Sequence, residues 1–210
     1  MAKDIVAAIV MATMLEAKPF VQEMSLKQIP DSPFIVFRNP EVQLLVSGIG
    51  KANAAMATAY LCTVFNPALI FNLGAAGAAR FGYGLGEIFH IHEVVEPDRP
   101  DLKTGKPCIH QPDLMEGFKT AKLATSDRAI LDPINRQAIA RNADLLDMEG
   151  ASVVQTCRKF ESRCFLFKFV SDTPDHTRDQ DIVDHIRRYR QRFCEFFVDT
   201  VISKSQKHLT

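Results

Sequence analysis

Residues 144–154, DLLDMEGASVV, place one glutamate inside a run of apolar residues. The segment begins as a short strand around Leu145 and continues from Gly150 as a helix. Glu149 lies at the junction, and no lysine or arginine occurs within six residues of it on either side. A buried carboxylate is costly unless a partner compensates its charge. The partner of Glu149 is therefore either distant in the sequence or not part of the protein.

The remainder of the chain repeats this change from strand to helix. Short apolar runs predict strands at 5–12, 34–38, 42–48, 68–74, 87–96, 122–126, 144–148 and 164–172. Longer segments of helical periodicity lie at 15–24, 51–65, 132–142, 150–160 and 181–205. The runs at 34–38 and 42–48 read as a hairpin, and 97–120 reads as a loop. This alternation predicts an α/β fold with a mostly parallel sheet covered by helices on both faces. We expect a single domain over residues 1–210, which is long enough for one sizeable core.

The composition excludes several classes of partner. Lys plus Arg and Asp plus Glu are both 25, so the net charge gives no reason to expect nucleic acid or an anionic membrane. The five cysteines form no CxxC pair, which favours buried thiols in a reducing cytoplasm. No window approaches the length of apolar sequence that spans a bilayer, and no histidine has a ligand-spaced partner for a metal. We expect a cytoplasmic protein without metal or cofactor.

Three carboxylates lie at predicted strand ends, where sheets of this kind bind ligands. They are Glu16, Glu149 and Asp172, and two glycine-bearing turns lie between them in the sequence, SGIGKANAA (47–55) and NLGAAGAA (72–79). Glycine lets the backbone approach a ligand closely. Carboxylates around one pocket suit a reaction that develops positive charge, such as the cleavage of a glycosidic bond through an oxocarbenium-like sugar.

The order of these motifs resembles the nucleoside phosphorylase superfamily, and within it the methylthioadenosine/S-adenosylhomocysteine nucleosidases and the futalosine hydrolases. The resemblance rests on SGIGKANAA, NLGAAGA, LGEI (85–88), LLDMEGASVV (145–154) and FKFVSD (167–172). It implies a three-layer sandwich with a twisted, mixed central sheet. It also implies a homodimer that acts on a small purine nucleoside.

The resemblance assigns a role to each candidate residue. Glu16 matches the glutamate that deprotonates the attacking water. Met148 matches the methionine against the ribose, and Glu149 the glutamate that binds the ribose hydroxyls. Asp172 matches the aspartate that protonates the purine at N7, and Ser171 orients its carboxyl group. We expect Asp172 to be buried beside other carboxylates, which would favour its protonated form.

Four further residues are assigned to substrate binding. Gly74 and Ala75 belong to the glycine turn, and Ala129 and Ile130 place their backbone near the purine. Ala75 stands where the family usually has a serine, and Arg128-Ala129 stand where an aromatic residue often stacks on the base. The segment between residues 96 and 122 also lacks a helix that the family usually has. These departures concern the base and its far-side substituent, so they bear on substrate identity.

The expected reaction is hydrolysis of an adenine-type nucleoside, because Asp172 can accept a hydrogen bond from a 6-amino group. Phosphorolysis is disfavoured since the family's phosphate-binding arginine and serine are replaced by Asn72 and Ala75, and Glu16 would repel phosphate. The alternatives are a futalosine hydrolase, a phosphate-dependent purine nucleoside phosphorylase, and a non-catalytic nucleoside-binding protein of the same fold. A protein that only binds would have no need of Glu16.

Overall fold

The computed structural model describes residues 7–205. Its strands are β1 (Ala7–Met11), β2 (Lys27–Gln28), β3 (Ile35–Arg38), β4 (Val42–Val46), β5 (Leu69–Ala78), β6 (Ile88–Pro100), β7 (Pro107–His110), β8 (Thr120–Thr125), β9 (Leu145–Asp147) and β10 (Arg163–Asp172). Its α-helices are α1 (Met14–Glu23), α2 (Lys51–Tyr60), α3 (Pro133–Ile139), α4 (Gly150–Lys159), α5 (Asp179–Phe196) and α6 (Ser203–Ser205). π-helical segments extend α2 over Leu61–Phe65 and α5 over Phe197–Ile202.

The central strand of the sheet is β5. It runs parallel to β10 along its full length and parallel to β1 over its first half. Beyond the end of β1, β5 pairs with β9 at Gly77 and Ala78. Strands β9, β8, β6 and β10 then continue the pairing back to β5, so five strands form a closed ring. Closure leaves these strands without a free edge.

Helices pack against both faces of this sheet. The alternation along β1 shows this directly, because Ala8 and Val10 join one apolar cluster while Ile9 and Met11 join another. The first cluster includes side chains of α2 and α4, and the second includes side chains of α1 and α5. Successive strand residues point to opposite faces, so β1 is buried on both.

The α/β class, the mixed sheet and the helices are confirmed. The predicted strands and helices form, including the hairpin of β3 and β4, although Ile5 and Val6 of the first predicted strand lie outside the described residues. Two predictions need correction. The segment 97–120 is not a loop throughout, since β6 runs on to Pro100 and pairs with β7. The sheet is also less parallel than expected, because five of the ten strand pairs are antiparallel.

Candidate active site

The candidate site lies where β1 and β9 separate along one edge of β5. That edge pairs with β1 up to Asn72 and with β9 from Gly77, so the backbone between them has no strand neighbour there. A cavity opens at this gap. Eight of the nine predicted site residues line it, namely Glu16, Ala75, Ala129, Ile130, Met148, Glu149, Ser171 and Asp172. The ninth, Gly74, lies behind Glu16, and a Cβ placed on it would come within 2.8 Å of Glu16 Oε1.

Glu16 is held in the first turn of α1 by a capping arrangement. The Thr13 hydroxyl accepts a hydrogen bond from the Glu16 amide at 3.3 Å and donates one to Glu16 Oε2 at 2.7 Å. Glu16 Oε1 accepts from the amide of Ala75 at 2.9 Å, which is the backbone exposed by the gap in β5. Both carboxylate oxygens are therefore fixed, and the side chain is 5% exposed. Such a pairing of Thr and Glu is a common start of a helix.

Glu149 has a backbone partner distant in the sequence. Its Oε1 accepts from the amide of Gly50 at 2.8 Å, and Gly50 has a positive φ of 102° that side chains rarely adopt. Burial, together with the neighbouring carboxylate of Asp147, raises the pKa of Glu149 to about 7. Lys168 and the Gly50 amide act in the opposite direction but do not cancel the effect.

Lys168 is a buried cation that the sequence analysis missed. It lies on β10 with 2% of its surface exposed, and its Nζ contacts Asp147 Oδ2 at 2.9 Å. Burial by itself would lower the pKa of Lys168, but the carboxylates around it, first Asp147, raise that pKa above the ordinary lysine value. A lone lysine inside the apolar strand FLFKFVSD indicates a buried charge as clearly as Glu149 does in its own segment. We call Glu16, Asp147, Glu149 and Lys168 the Glu16 end of the cavity.

Asp172 has a different environment from the one predicted. Ser171 donates to its Oδ1 at 2.6 Å, as expected. Its Oδ2, however, forms a buried ion pair with Nη2 of Arg136. The sequence predicted other carboxylates beside Asp172, whereas its charged neighbour is the guanidinium of Arg136. Nothing local in the helix sequence at 132–142 indicated that Arg136 points inward.

Arg136 also binds the backbone that was assigned to the base. Its Nε donates to the Ile130 carbonyl at 2.8 Å and its Nη1 to the Ala78 carbonyl at 2.9 Å. Gly77 allows this close approach, because a Cβ there would lie 2.6 Å from Asp172 Oδ2. We call Ile130, Arg136, Ser171 and Asp172 the Asp172 end of the cavity.

Groups that could serve other chemistry are engaged elsewhere. Asn72 donates to the Val10 carbonyl at 3.2 Å and does not line the cavity. His90 contacts backbone groups of Leu166 and Met115 through its two ring nitrogens. Within residues 7–205, no three His, Cys, Asp or Glu side chains are placed to hold a metal ion. In the same range no helix combines the length and apolar character needed to cross a bilayer.

Comparison with known proteins defines the class. The sequence profile of the Phosphorylase superfamily matches residues 7–203. The chain therefore belongs to the phosphorylase superfamily.

Two curated relatives carry the same name. The 5'-methylthioadenosine/S-adenosylhomocysteine nucleosidase of Staphylococcus carnosus (strain TM300) is 31% identical over 160 residues, which cover 64% of this chain and 69% of the relative. The nucleosidase of the same name from Marinomonas sp. (strain MWYL1) is 25% identical over 177 residues, covering 72% and 76%.

Two solved structures share the fold at low sequence identity. A futalosine hydrolase mutant of Helicobacter pylori strain 26695 matches with a TM-score of 0.84 and 17% identity, covering 95% of this chain and 99% of that one. The Helicobacter pylori 5'-methylthioadenosine/S-adenosylhomocysteine nucleosidase, solved with butyl-thio-DADMe-Immucillin-A, gives the same TM-score, identity and coverage.

Proposed function

We propose that the protein is a hydrolytic nucleosidase that cleaves the N-glycosidic bond of an adenine-type purine nucleoside, with methylthioadenosine and S-adenosylhomocysteine as the model substrates. The observation that carries this proposal is that Glu16, Glu149 and Asp172, three buried carboxylates from distant segments, line one cavity. The curated relatives named above support the same reaction class. The products would be the free base and the ribose derivative.

The geometry suggests which part of the reaction each residue performs. Glu16 has both oxygens anchored, so it is placed to take a proton from an attacking water as general base. Glu149 accepts hydrogen bonds from the ribose hydroxyls, and its negative charge stabilises the sugar as it becomes cationic. Met148 packs against the ribose in the cavity wall. All of these groups lie at or beside the Glu16 end, where negative charge exceeds positive charge.

The Asp172 end is assigned to the purine. In this proposal Asp172 takes up a proton before the glycosidic bond breaks and passes it to N7 of the leaving base, while Ser171 fixes its Oδ1. Arg136 then contacts the carboxylate that remains after the transfer. Ala129 and Ile130 contribute the backbone wall beside the base, and Ala75, with Gly74 behind it, contributes the wall near Glu16.

Water is favoured over phosphate as the nucleophile. Glu16 and Glu149 occupy the end at which the nucleophile must arrive, and a carboxylate repels a phosphate dianion. Lys168 is already bound to Asp147, and Asn72 donates into the core. Among the described residues, the Glu16 end therefore offers phosphate no cation that is not already paired with a carboxylate.

The test is an assay for free base with and without phosphate. Methylthioadenosine, S-adenosylhomocysteine, adenosine, inosine and futalosine are incubated with the protein, and the base is quantified by chromatography. We expect phosphate-independent release of adenine. We expect Glu16→Gln to lower kcat by roughly 10²–10⁴-fold, the range for a lost general base. Glu23→Gln, an exposed glutamate on the same helix, is the matched control and should retain activity.

Three results would contradict the proposal. A strict requirement for phosphate would make the protein a phosphorylase. Nucleoside binding without release of base from any of the five substrates would make it a non-catalytic binding protein. Release from futalosine alone would select the futalosine hydrolase alternative.

We also propose a homodimer in the cytoplasm, with residues 1–210 forming one domain and the sheet forming a twisted three-layer sandwich outside the closed ring. The five free cysteines support a reducing compartment. Exposed apolar side chains on and before α2, Met56 and Ile49, each 56% exposed, support a protein contact there.

A further inference from the structure

The helix that carries Glu16 has a proline in its interior. Pro19 is buried in α1 and lies four positions after Leu15. An α-helix pairs each carbonyl with the amide four residues later, but proline has no N–H, and its ring crowds the carbonyl that it would otherwise bind. The Leu15 carbonyl therefore lacks the donor that residue 19 of a regular helix would supply.

Helix α5 supplies a donor in its place. Nη1 of Arg190 donates to the Leu15 carbonyl oxygen at 2.6 Å. Arg190 is half-buried, whereas the other three arginines of the same helix, Arg187, Arg188 and Arg192, are exposed. Arg190 does not line the cavity, so any effect that it has on the reaction passes through α1.

The contact lies directly beside the proposed general base. The carbonyl of Leu15 and the amide of Glu16 belong to one planar peptide group. Arg190 binds the oxygen of that group, and Thr13 Oγ1 accepts from its N–H at 3.3 Å. The peptide from which Glu16 projects is therefore held at both of its polar atoms.

We propose that Arg190 is a positioning residue for Glu16. Its guanidinium replaces the N–H that Pro19 lacks and keeps the Glu16 carboxylate where it can take the proton of the attacking water. This inference rests on the proposed function, in which Glu16 is the general base. A charged donor suits the task because its hydrogen bonds are stronger than those of a neutral amide.

The packing of α1 on α5 has other supports. The ring of Phe20 on α1 lies 5.9 Å from that of Phe193 and 5.8 Å from that of Phe197, measured between centroids. All three rings are buried in the same apolar cluster. Loss of Arg190 should therefore leave the two helices packed and release only the peptide group before Glu16.

The experiment measures kcat and KM for methylthioadenosine in the wild type, Arg190→Met, Pro19→Ala and the double variant. For Arg190→Met we expect kcat to fall by roughly ten- to a hundredfold, the effect of displacing a reacting group by up to about 1 Å. KM should stay unchanged, because Glu16 acts in the transition state and not in nucleoside binding. Pro19→Ala restores an N–H at position 19, so the double variant should recover kcat.

Three further variants serve as controls. Arg187→Met removes a 57% exposed arginine of the same helix and should retain wild-type kinetics. In a Glu16→Gln background, Arg190→Met should cause no further loss of kcat, because the group that it positions is already gone. Arg190→Lys keeps a charged donor and should recover part of the loss. If Arg190→Met does not fold, Arg190→Lys with and without Pro19→Ala gives the same comparison.

Three results would overturn the proposal. The first is a wild-type kcat in Arg190→Met. The second is a loss that Pro19→Ala does not reverse, which would mean that Arg190 acts by some means other than donating to the Leu15 carbonyl. The third is an equal loss in the Glu16→Gln background, which would mean that Arg190 does not act through Glu16. A merely structural Arg190 would give the second and third results.

Amide hydrogen exchange followed by NMR tests the contact without turnover. If the wild type cleaves no nucleoside, the proposed hydrolysis fails, but exchange of the Glu16 amide should still be faster in Arg190→Met than in the wild type. Adding Pro19→Ala should slow it again. Equal exchange rates in the three proteins would reject the contact and with it the positioning role.

Discussion

The two ends of the cavity differ in their balance of negative and positive charge. At the Glu16 end three carboxylates, Glu16, Asp147 and Glu149, surround the single cation of Lys168. At the Asp172 end one carboxylate meets one guanidinium. The first end keeps an excess of negative charge, and the second is balanced. An excess of negative charge suits a sugar that becomes cationic, whereas a balanced pair suits a neutral base.

The two ends also differ in the groups that bind their carboxylates. Glu16 and Glu149 are anchored by backbone amides, those of Ala75 and Gly50. Asp172 is anchored by two side chains, the neighbouring Ser171 and the distant Arg136. Backbone anchors are fixed by the fold, while a side-chain anchor changes with a single substitution. A single substitution can therefore remove an anchor at the Asp172 end, whereas the amide anchors of Glu16 and Glu149 do not depend on side-chain identity.

The largest expected effect, on both stability and activity, comes from removing Lys168, the cation of the Glu16 end. Lys168→Met leaves Asp147 buried without its charged partner, and breaking a buried pair in this way destabilises by about 3–5 kcal/mol. We expect a loss of that size in the free energy of unfolding, measured with urea. Glu16 and Glu149 would lose the same neighbouring charge, so activity should fall even under conditions in which the variant stays folded.

Two further variants test whether the expected loss of stability arises because Lys168 is buried. Lys122 forms an ion pair with Glu93 at 2.9 Å but is 44% exposed, so Lys122→Met should cost no more than about 1 kcal/mol. Lys168→Arg keeps the charge and should recover most of the stability. If Lys168→Met were as stable as Lys122→Met, the three carboxylates would not depend on Lys168.

A matched pair of glycine substitutions separates the two ends. Gly74→Ala would bring a Cβ to 2.8 Å from Glu16 Oε1, and Gly77→Ala would bring one to 2.6 Å from Asp172 Oδ2. Displacing a reacting group by about 1 Å can cost roughly a hundredfold in rate. We expect losses of up to that size in kcat for both variants. Gly74→Ala would displace the proposed general base, and Gly77→Ala would displace the proposed proton donor.

Gly84→Ala is the control for this comparison. A Cβ at Gly84 meets no atom within 4 Å, and its backbone does not have the positive φ that favours glycine. This variant should retain wild-type kinetics with methylthioadenosine. A wild-type kcat in Gly74→Ala or in Gly77→Ala would mean that the carboxylate at that end tolerates the added Cβ.

The Glu16 end could be predicted from the sequence to a large extent. Glu16 and Glu149 are charges at the ends of apolar runs, and their positions follow from the alternation of strand and helix. Lys168 could be predicted in the same way, because it is a lone charge in the middle of an apolar strand. What the sequence did not contain is the register that brings Ala75 and Gly50 against these carboxylates.

The Asp172 end was predicted less completely. Ser171 and Asp172 are neighbours in one motif, so their contact was expected. Arg136 lies 36 residues away on a short helix, and its contact with Asp172 depends on how α3 sits over the closed ring of strands. Long-range packing of this kind leaves no local pattern. The closed ring of strands was not predicted either. It forms because β5 extends beyond the end of β1 and pairs with β9, which is again a long-range contact.

The smallest expected effect concerns the pH dependence of the Glu16 end. The pKa of Glu149 is raised to about 7, so the side chain is largely neutral at pH 6 and ionised at pH 8. Ribose hydroxyls need the ionised form as acceptor, and kcat/KM reports groups of the free enzyme. We expect kcat/KM for methylthioadenosine to rise about tenfold from pH 6 to pH 8 and then to level off.

Without nucleoside, the free energy of unfolding should show the opposite trend and fall as the pH rises. The folded-state pKa of Glu149 lies above its ordinary value of 4.5, so its contribution to stability is present below that value and is lost as pH rises through about 7. Glu149→Gln should remove this dependence and the rising limb of kcat/KM together, with a lower plateau. If the rising limb persisted in Glu149→Gln, a different group would control it.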